Sequence, residues 1–157
     1  MNATRVRAAE RLVRALVLLG ALAFGAHAQE PATPEAEALR AMDAFMAAFN
    51  ARDVEAWIAT LNFPHVRLAS GQLAVFRDPA EFRNNFEFAR FAAQTGWSRS
   101  EWTERRVIHA GADKVHVAVV FTRFREDGSV LAKYDSLYVV TKQSEHWGVQ
   151  ARSSYAP

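Results

Sequence analysis

The chain has 157 residues, half of them hydrophobic, with 19 Lys and Arg against 17 Asp and Glu and no cysteine. That length supports one core of ordinary domain size, and the missing thiols exclude a disulfide scaffold and any thiolate metal site. A formal charge of +2 is a weak argument for a nucleic-acid partner, and the first segment removes it.

Arg5, Arg7, Arg11 and Arg14 precede an apolar run from Ala15 to Ala26, and Ala26-His27-Ala28 leads into Gln29. A basic start, a short apolar middle and a small-x-small exit read as a secretory signal peptide over residues 1–28. The run is shorter than the roughly 20 apolar residues of a spanning helix. None of the arginines is adjacent to another, which leaves the twin-arginine route without support, and without cysteine there is no lipid attachment site. Cleavage takes away four arginines and Glu10, leaving 15 basic and 16 acidic residues. The expected mature chain is periplasmic or secreted, off the membrane, and without the charge to hold nucleic acid. Arg105, Arg106, Arg123 and Arg125 still form a local basic cluster, which reads as a solvated face.

Residues 29–33 are a short Pro/Ala leader, and the domain spans 34–157. Thr33 stands as an N-cap before Pro34, with Glu35 and Glu37 in the first turn. Leu39, Met42, Phe45, Met46 and Phe49 follow at helical spacing to about Asn50. A second helix starts at Asp53 and offers Trp57 and Leu61 to the same side. The segments Pro64-His65-Val66-Arg67-Leu68 and Gln72-Leu73-Ala74-Val75-Phe76, parted by Ser70-Gly71, predict a β-hairpin. Asp78-Pro79-Ala80-Glu81 opens a third helix that carries Phe82, Phe86, Phe88 and Phe91 to about Thr95, where Gly96 ends it. Four strands follow, over 102–109, 114–125, 130–142 and 146–153. Asp127-Gly128 is the strongest of the turn signals joining them. One α+β domain is predicted, in the order α-α-β-β-α-β-β-β-β.

Two stretches carry a family resemblance: Ala44 through Trp57, the opening helix pair, and Ser136 to Lys142 with His146-Trp147-Gly148-Val149-Gln150, the closing strands. In them the chain resembles the nuclear transport factor 2 superfamily, in particular its SnoaL-like and ketosteroid-isomerase-like small domains. The resemblance implies a cone-shaped barrel in which a curved antiparallel sheet and three helices enclose a pocket, often as a homodimer through the sheet. It implies no single function, since such folds serve isomerases, cyclases, dehydratases, hydrolases and non-catalytic binders.

Enzymes of this kind place an acid near the start of the first strand, and Asn62-Phe63-Pro64-His65-Val66-Arg67 has none. His65 is the candidate base in its place, since imidazole titrates near neutrality. The alternative puts Val66 and Leu68 in the core and His65 and Arg67 on the opposite face, against water or a partner chain. Asp135, mid-strand beside Tyr138, is the second catalytic candidate if it faces the pocket. Otherwise it pairs across strands with Arg123, Arg125 or Arg152. Gln150 and Arg152 share a face by alternation, and Arg152 can hold a carboxylate through its planar fork. Trp97 and Trp102 are candidates for a pocket lip or for core positions. The candidate ligand-binding set is His65, Arg67, Trp97, Trp102, Tyr138, Gln150 and Arg152.

No metal site is expected, because His65, His109, His116 and His146 lack paired spacing, although His109 and His116 can meet in one hairpin register. No cofactor motif is present. Three functions are compatible with this pattern. In order, they are an exported binder of a small, partly apolar molecule, an acid–base enzyme of isomerase, dehydratase or cyclase type, and an assembly domain with a filled core. Convergence of His65, Asp135 and Arg152 on one cavity separates them.

Overall fold

The computed structural model describes residues 32–69 and 71–157; the expected signal peptide, the start of the leader and Ser70 of the hairpin turn lie outside the described residues. The Thr33 hydroxyl accepts the Ala36 N–H at 3.2 Å, Pro34 follows, and α1 runs Pro34–Ala51. The Asp53 carboxylate accepts the Ala56 N–H at 2.9 Å and starts α2, Val54–Ile58. Both starts follow from local side chains that satisfy N–H groups the helix cannot.

The third helix departs from expectation. It divides into α3, Pro79–Asn84, and α4, Phe88–Thr95. Asn85 causes the division by turning its side-chain amide back onto the Glu81 carbonyl at 2.8 Å, a local bond that competes with continued helix. Phe86, in the gap, packs against Trp57, Phe88 and Phe91. Burying that ring compensates for the broken turn. Gly96 ends α4 in the left-handed region, at φ 71.

Six strands form one sheet: β1 Leu61–Ala69, β2 Gln72–Phe76, β3 Arg99–Ala110, β4 Lys114–Phe124, β5 Val130–Gln143 and β6 His146–Ser154. Their order is β2-β1-β6-β5-β4-β3, antiparallel throughout except that β1 runs parallel to β6. The architecture is the expected α+β cone, with its curved sheet left open at β2 and β3. α1 lies across β3, β4, β5 and β6, so Met42, Phe45 and Phe49 bury against Val117, Val119 and Tyr138.

Two register breaks decide which side chains face inward. Between β5 and β6, Val140 pairs with Val149 but Val139 pairs with Ala151, so Gln150 is the extra residue of a bulge. Between β1 and β6, Leu61 pairs with Val149 and Val66 with Ala151, so three extra residues enter β1. At this junction the strands approach closely. A Cβ on Gly148 would stand 2.9 Å from the Leu61 backbone carbon and 3.0 Å from Asn62 Cγ. Gly148→Ala is therefore expected to destabilise the fold by about 1–3 kcal/mol, read as a lower midpoint in urea unfolding.

Candidate functional site

The inner end of the cone holds a cavity of about 180 Å³. Its walls are rings: Phe49 from α1, Trp57 from α2, Phe76 from β2, Phe82 from α3, Phe86 from the gap and Phe91 from α4. Three arginines, Arg67 from β1, Arg123 from β4 and Arg152 from β6, complete it together with Asn85 and Pro157. A smaller recess next to it is lined by Phe45, Phe121 and Tyr138 and shares Phe49, Arg123 and Arg152.

The arginines arrive there for separate reasons. The β1 irregularity turns His65 and Arg67 inward and leaves Leu68 45% exposed, which reverses the face assignment that put Val66 and Leu68 in the core. Arg67 and Arg152 are then direct register partners on neighbouring strands, with Tyr138 next across the sheet from Arg152. The bulge at Gln150 breaks the simple alternation of β6, so the expected shared face of Gln150 and Arg152 is not formed. Gln150 instead accepts a hydrogen bond from the Thr141 hydroxyl at 2.8 Å and does not line the cavity.

Arg123 is only 5% exposed. Its guanidinium carbon lies 4.9 Å from the Phe91 ring centroid, 5.0 Å from Tyr134 and 5.6 Å from Phe121, a desolvated cation held by aromatic faces. The expectation of a solvated basic face holds for Arg105, Arg106 and Arg125, which are exposed, and fails for Arg123. Arg105 pairs with Asp43 at 2.6 Å, Arg125 donates to the Val130 carbonyl of its own hairpin at 2.9 Å, and Arg123 points into the core. A signal for this was available, since Val115, Val117, Val119 and Phe121 are an alternating buried series whose next member is Arg123.

No Asp or Glu side chain pairs with the three guanidinium groups among the described residues. Among the described residues, the arginines that pair with Asp or Glu are Arg40, Arg77, Arg83, Arg99 and Arg105. Burial, then the nearby Arg152 and Arg123, pushes the Arg67 guanidinium down to about 10. Burial also lowers Arg123, against the Tyr134 hydroxyl, which raises it, and Arg152 adds to the lowering. Three buried side-chain polar atoms lack a hydrogen-bond partner among the described residues: Trp57 Nε1, Arg123 Nε and Arg152 Nε. All three are N–H donors, and all three belong to residues that line this cavity.

His65 sits one layer behind. It is 1% exposed, stacked on Phe76 with centroids 6.3 Å apart and edge-on to Phe82 at 5.7 Å. Its Nδ1 lies 3.0 Å from the Val149 carbonyl, and a carbonyl only accepts, so Nδ1 carries the proton of a neutral ring. Burial foremost, then the positive field of Arg152 and Arg67, pushes its pKa down to about 4 against the Val149 bond.

The remaining candidates lie elsewhere. Asp135 is exposed on the outer face, beside Glu104, Arg105 and Arg106. It pairs in register with Val120 and joins neither His65 nor Arg123, because side chains of successive strand residues alternate faces. Trp97 is not a lip but core, 2% exposed, its indole N–H donating to the Ser100 hydroxyl at 2.9 Å. Trp102 packs on Phe45 and Tyr138 and donates to the Met42 carbonyl at 3.3 Å. His109 and His116 do pair across β3 and β4, rings 5.8 Å apart, and among the described residues no group of three potential ligands forms a metal site. No helix of the described residues is long and apolar enough to cross a membrane.

An open curved sheet wrapped by short helices around a conical cavity defines the NTF2-like class of α+β proteins. The family model described as NTF2-like protein (DUF6841) matches residues 35–157, and the chain belongs to that family. Solved structures share the fold. A protein of unknown function with a cystatin-like fold from Nostoc punctiforme superposes with a TM-score of 0.65 at 17% identity, over 78% of this chain and 90% of that one. A ketosteroid isomerase-like protein from Erwinia carotovora gives 0.57 at 24%, over 76% and 93%. A Catenulispora acidiphila protein in complex with S-DNPA gives 0.60 at 17%, over 77% and 91%. No curated protein sequence matches the chain.

Proposed function

We propose that this is an exported domain that binds a small, partly apolar molecule in the cone. The observation that carries the reading is the cavity itself, about 180 Å³ with aromatic walls and polar groups at its floor, the composition of a ligand site more than of a filled core. Its size favours a compact ligand, because a dry cavity of roughly 150 Å³ already accepts benzene. Acid–base catalysis is less well supported. His65 is a weak base behind the wall, and Asp135 stands on the other face of the sheet. On that outer face Leu73 pairs with Leu68, which neighbours Ser153 and then Leu137. This apolar row supports a homodimer through the sheet.

The test is to express the full chain in a bacterium and recover it from the periplasm. Denaturing mass spectrometry is expected to show a chain beginning at Gln29. The native spectrum is expected to show a dimer carrying a small-molecule mass that is lost on unfolding. An uncleaved chain retained in the cytoplasm would refute export. A bare native mass, with no stabilisation by small aromatic compounds, would refute ligand binding.

A further inference from the structure

Resting on that binding site, we infer that its ligand is a small organic acid, whose carboxylate is held by Arg67, Arg123 and Arg152 while a single flat ring lies among the phenylalanines. Three observations converge on this class.

The first is charge. Arg67 and Arg152 stand opposite each other on adjacent strands, an arrangement of like charges that disfavours the sheet, and Arg123 adds a third cation from β4. No Asp or Glu pairs with any of them among the described residues. Three cations around one cavity with no Asp or Glu partner are complementary to an anion.

The second is hydrogen bonding. The unpartnered buried atoms Trp57 Nε1, Arg123 Nε and Arg152 Nε are all donors. These three atoms are out of reach of water, but the guanidinium groups of the lining arginines carry donors only, so a group held among them must accept. A carboxylate accepts only, through two oxygens with about four lone-pair directions, and planar guanidinium forks match it. A neutral alcohol or amide brings an N–H or O–H into a site that already holds an excess of donors. The neutral state of His65, whose Nδ1–H is committed to the Val149 carbonyl, keeps that ring from supplying a further charge.

The third is shape. Phe49, Trp57, Phe82, Phe86 and Phe91 form most of the remaining wall, and their rings meet edge-to-face, as Phe49 with Trp57 at 4.9 Å and Trp57 with Phe82 at 5.0 Å. Such a wall offers ring faces and edges to a flat apolar tail. About 180 Å³ admits one ring and its acid group.

Isothermal titration with benzoate, its neutral isostere benzamide and inorganic phosphate tests the inference on the unaltered protein. Benzoate is expected to bind roughly tenfold or more tightly than benzamide, the factor appropriate to charge-assisted hydrogen bonds, and more tightly than phosphate. Arg152→Gln is expected to remove most of that preference, weakening benzoate far more than benzamide. Equal binding of benzoate and benzamide would overturn the organic-acid inference and leave the apolar pocket standing. Phosphate binding as tight as benzoate would overturn the role of the ring. Binding of none of the three would overturn this inference together with the pocket reading. The comparison of ligands on the unaltered chain decides the matter even if Arg152→Gln fails to fold.

Discussion

Replacing Arg67 and Arg152 together by methionine is expected to raise the melting temperature of the domain while abolishing its affinity for organic acids. Substitutions of buried residues usually destabilise, so the expected sign is unusual and follows from the charges. Each arginine is half-buried at the inner face of the sheet, each stands opposite the other across one strand spacing, and neither pairs with an Asp or Glu that would offset its desolvation. Methionine keeps the length and flexibility of the stem and can fill the space among the rings. Exchanging buried charges for apolar groups of similar volume is neutral or stabilising by about 1–4 kcal/mol. In a domain of this size each kcal/mol moves the midpoint by roughly 2–4 °C. Scanning calorimetry on both proteins measures the shift, and the same samples titrated with benzoate measure the loss of binding. A lower melting temperature in the double variant would mean that the arginines hold the fold together, and the functional reading of the trio would fall. A stability sacrificed to keep a binding group is the pattern expected of a working site.

The second large effect is in the acid range. His65 has its pKa pushed down to about 4 in the folded chain, whereas an exposed histidine titrates near 6.5. Between those values the unfolded chain takes up a proton that the folded chain refuses. Stability therefore rises with pH across this window, is complete above about pH 6.5, and is lost as pH falls toward 4. The full effect is about 3 kcal/mol. Carboxylates titrate mainly below pH 5, so the interval from about pH 6.5 to 5 isolates the imidazole. Urea unfolding across that interval is expected to lose about 2 kcal/mol in the unaltered protein. The loss should be less than half as large in His65→Gln, whose amide can still donate to the Val149 carbonyl. The same slope in both proteins would show that His65 is not the group responsible.

Arg67, Arg152 and His65 also mark how far local reading reaches. Thr33-Pro34, Asp53, Asp78-Pro79 and Gly96 placed helix ends because a cap satisfies N–H or C=O groups within a few residues of itself, and that chemistry is complete in a short stretch of sequence. The turns at Gly71 and Asp127-Gly128 were legible for the same reason, and the resemblance of the opening helices and closing strands pointed to the right family. Asn85 was a near miss. Its own bond to the Glu81 carbonyl is local, but the strong phenylalanine spacing on either side masked it.

The facing of the strand side chains was decided by the tertiary structure alone. His65 and Arg67 turn inward because β1 takes three extra residues against β6, and Gln150 leaves the face of Arg152 because it is the extra residue in the ladder to β5. Each shift depends on a partner strand tens of residues away, and a slip of one position exchanges core for surface along everything beyond it. The sequence by itself determined three of the four helix starts, the strands, the turns and the family. The convergence of Arg67, Arg123 and Arg152 on one aromatic cavity was settled only when the parallel contact of β1 with β6 and the curvature of the sheet brought three distant strands to a common floor.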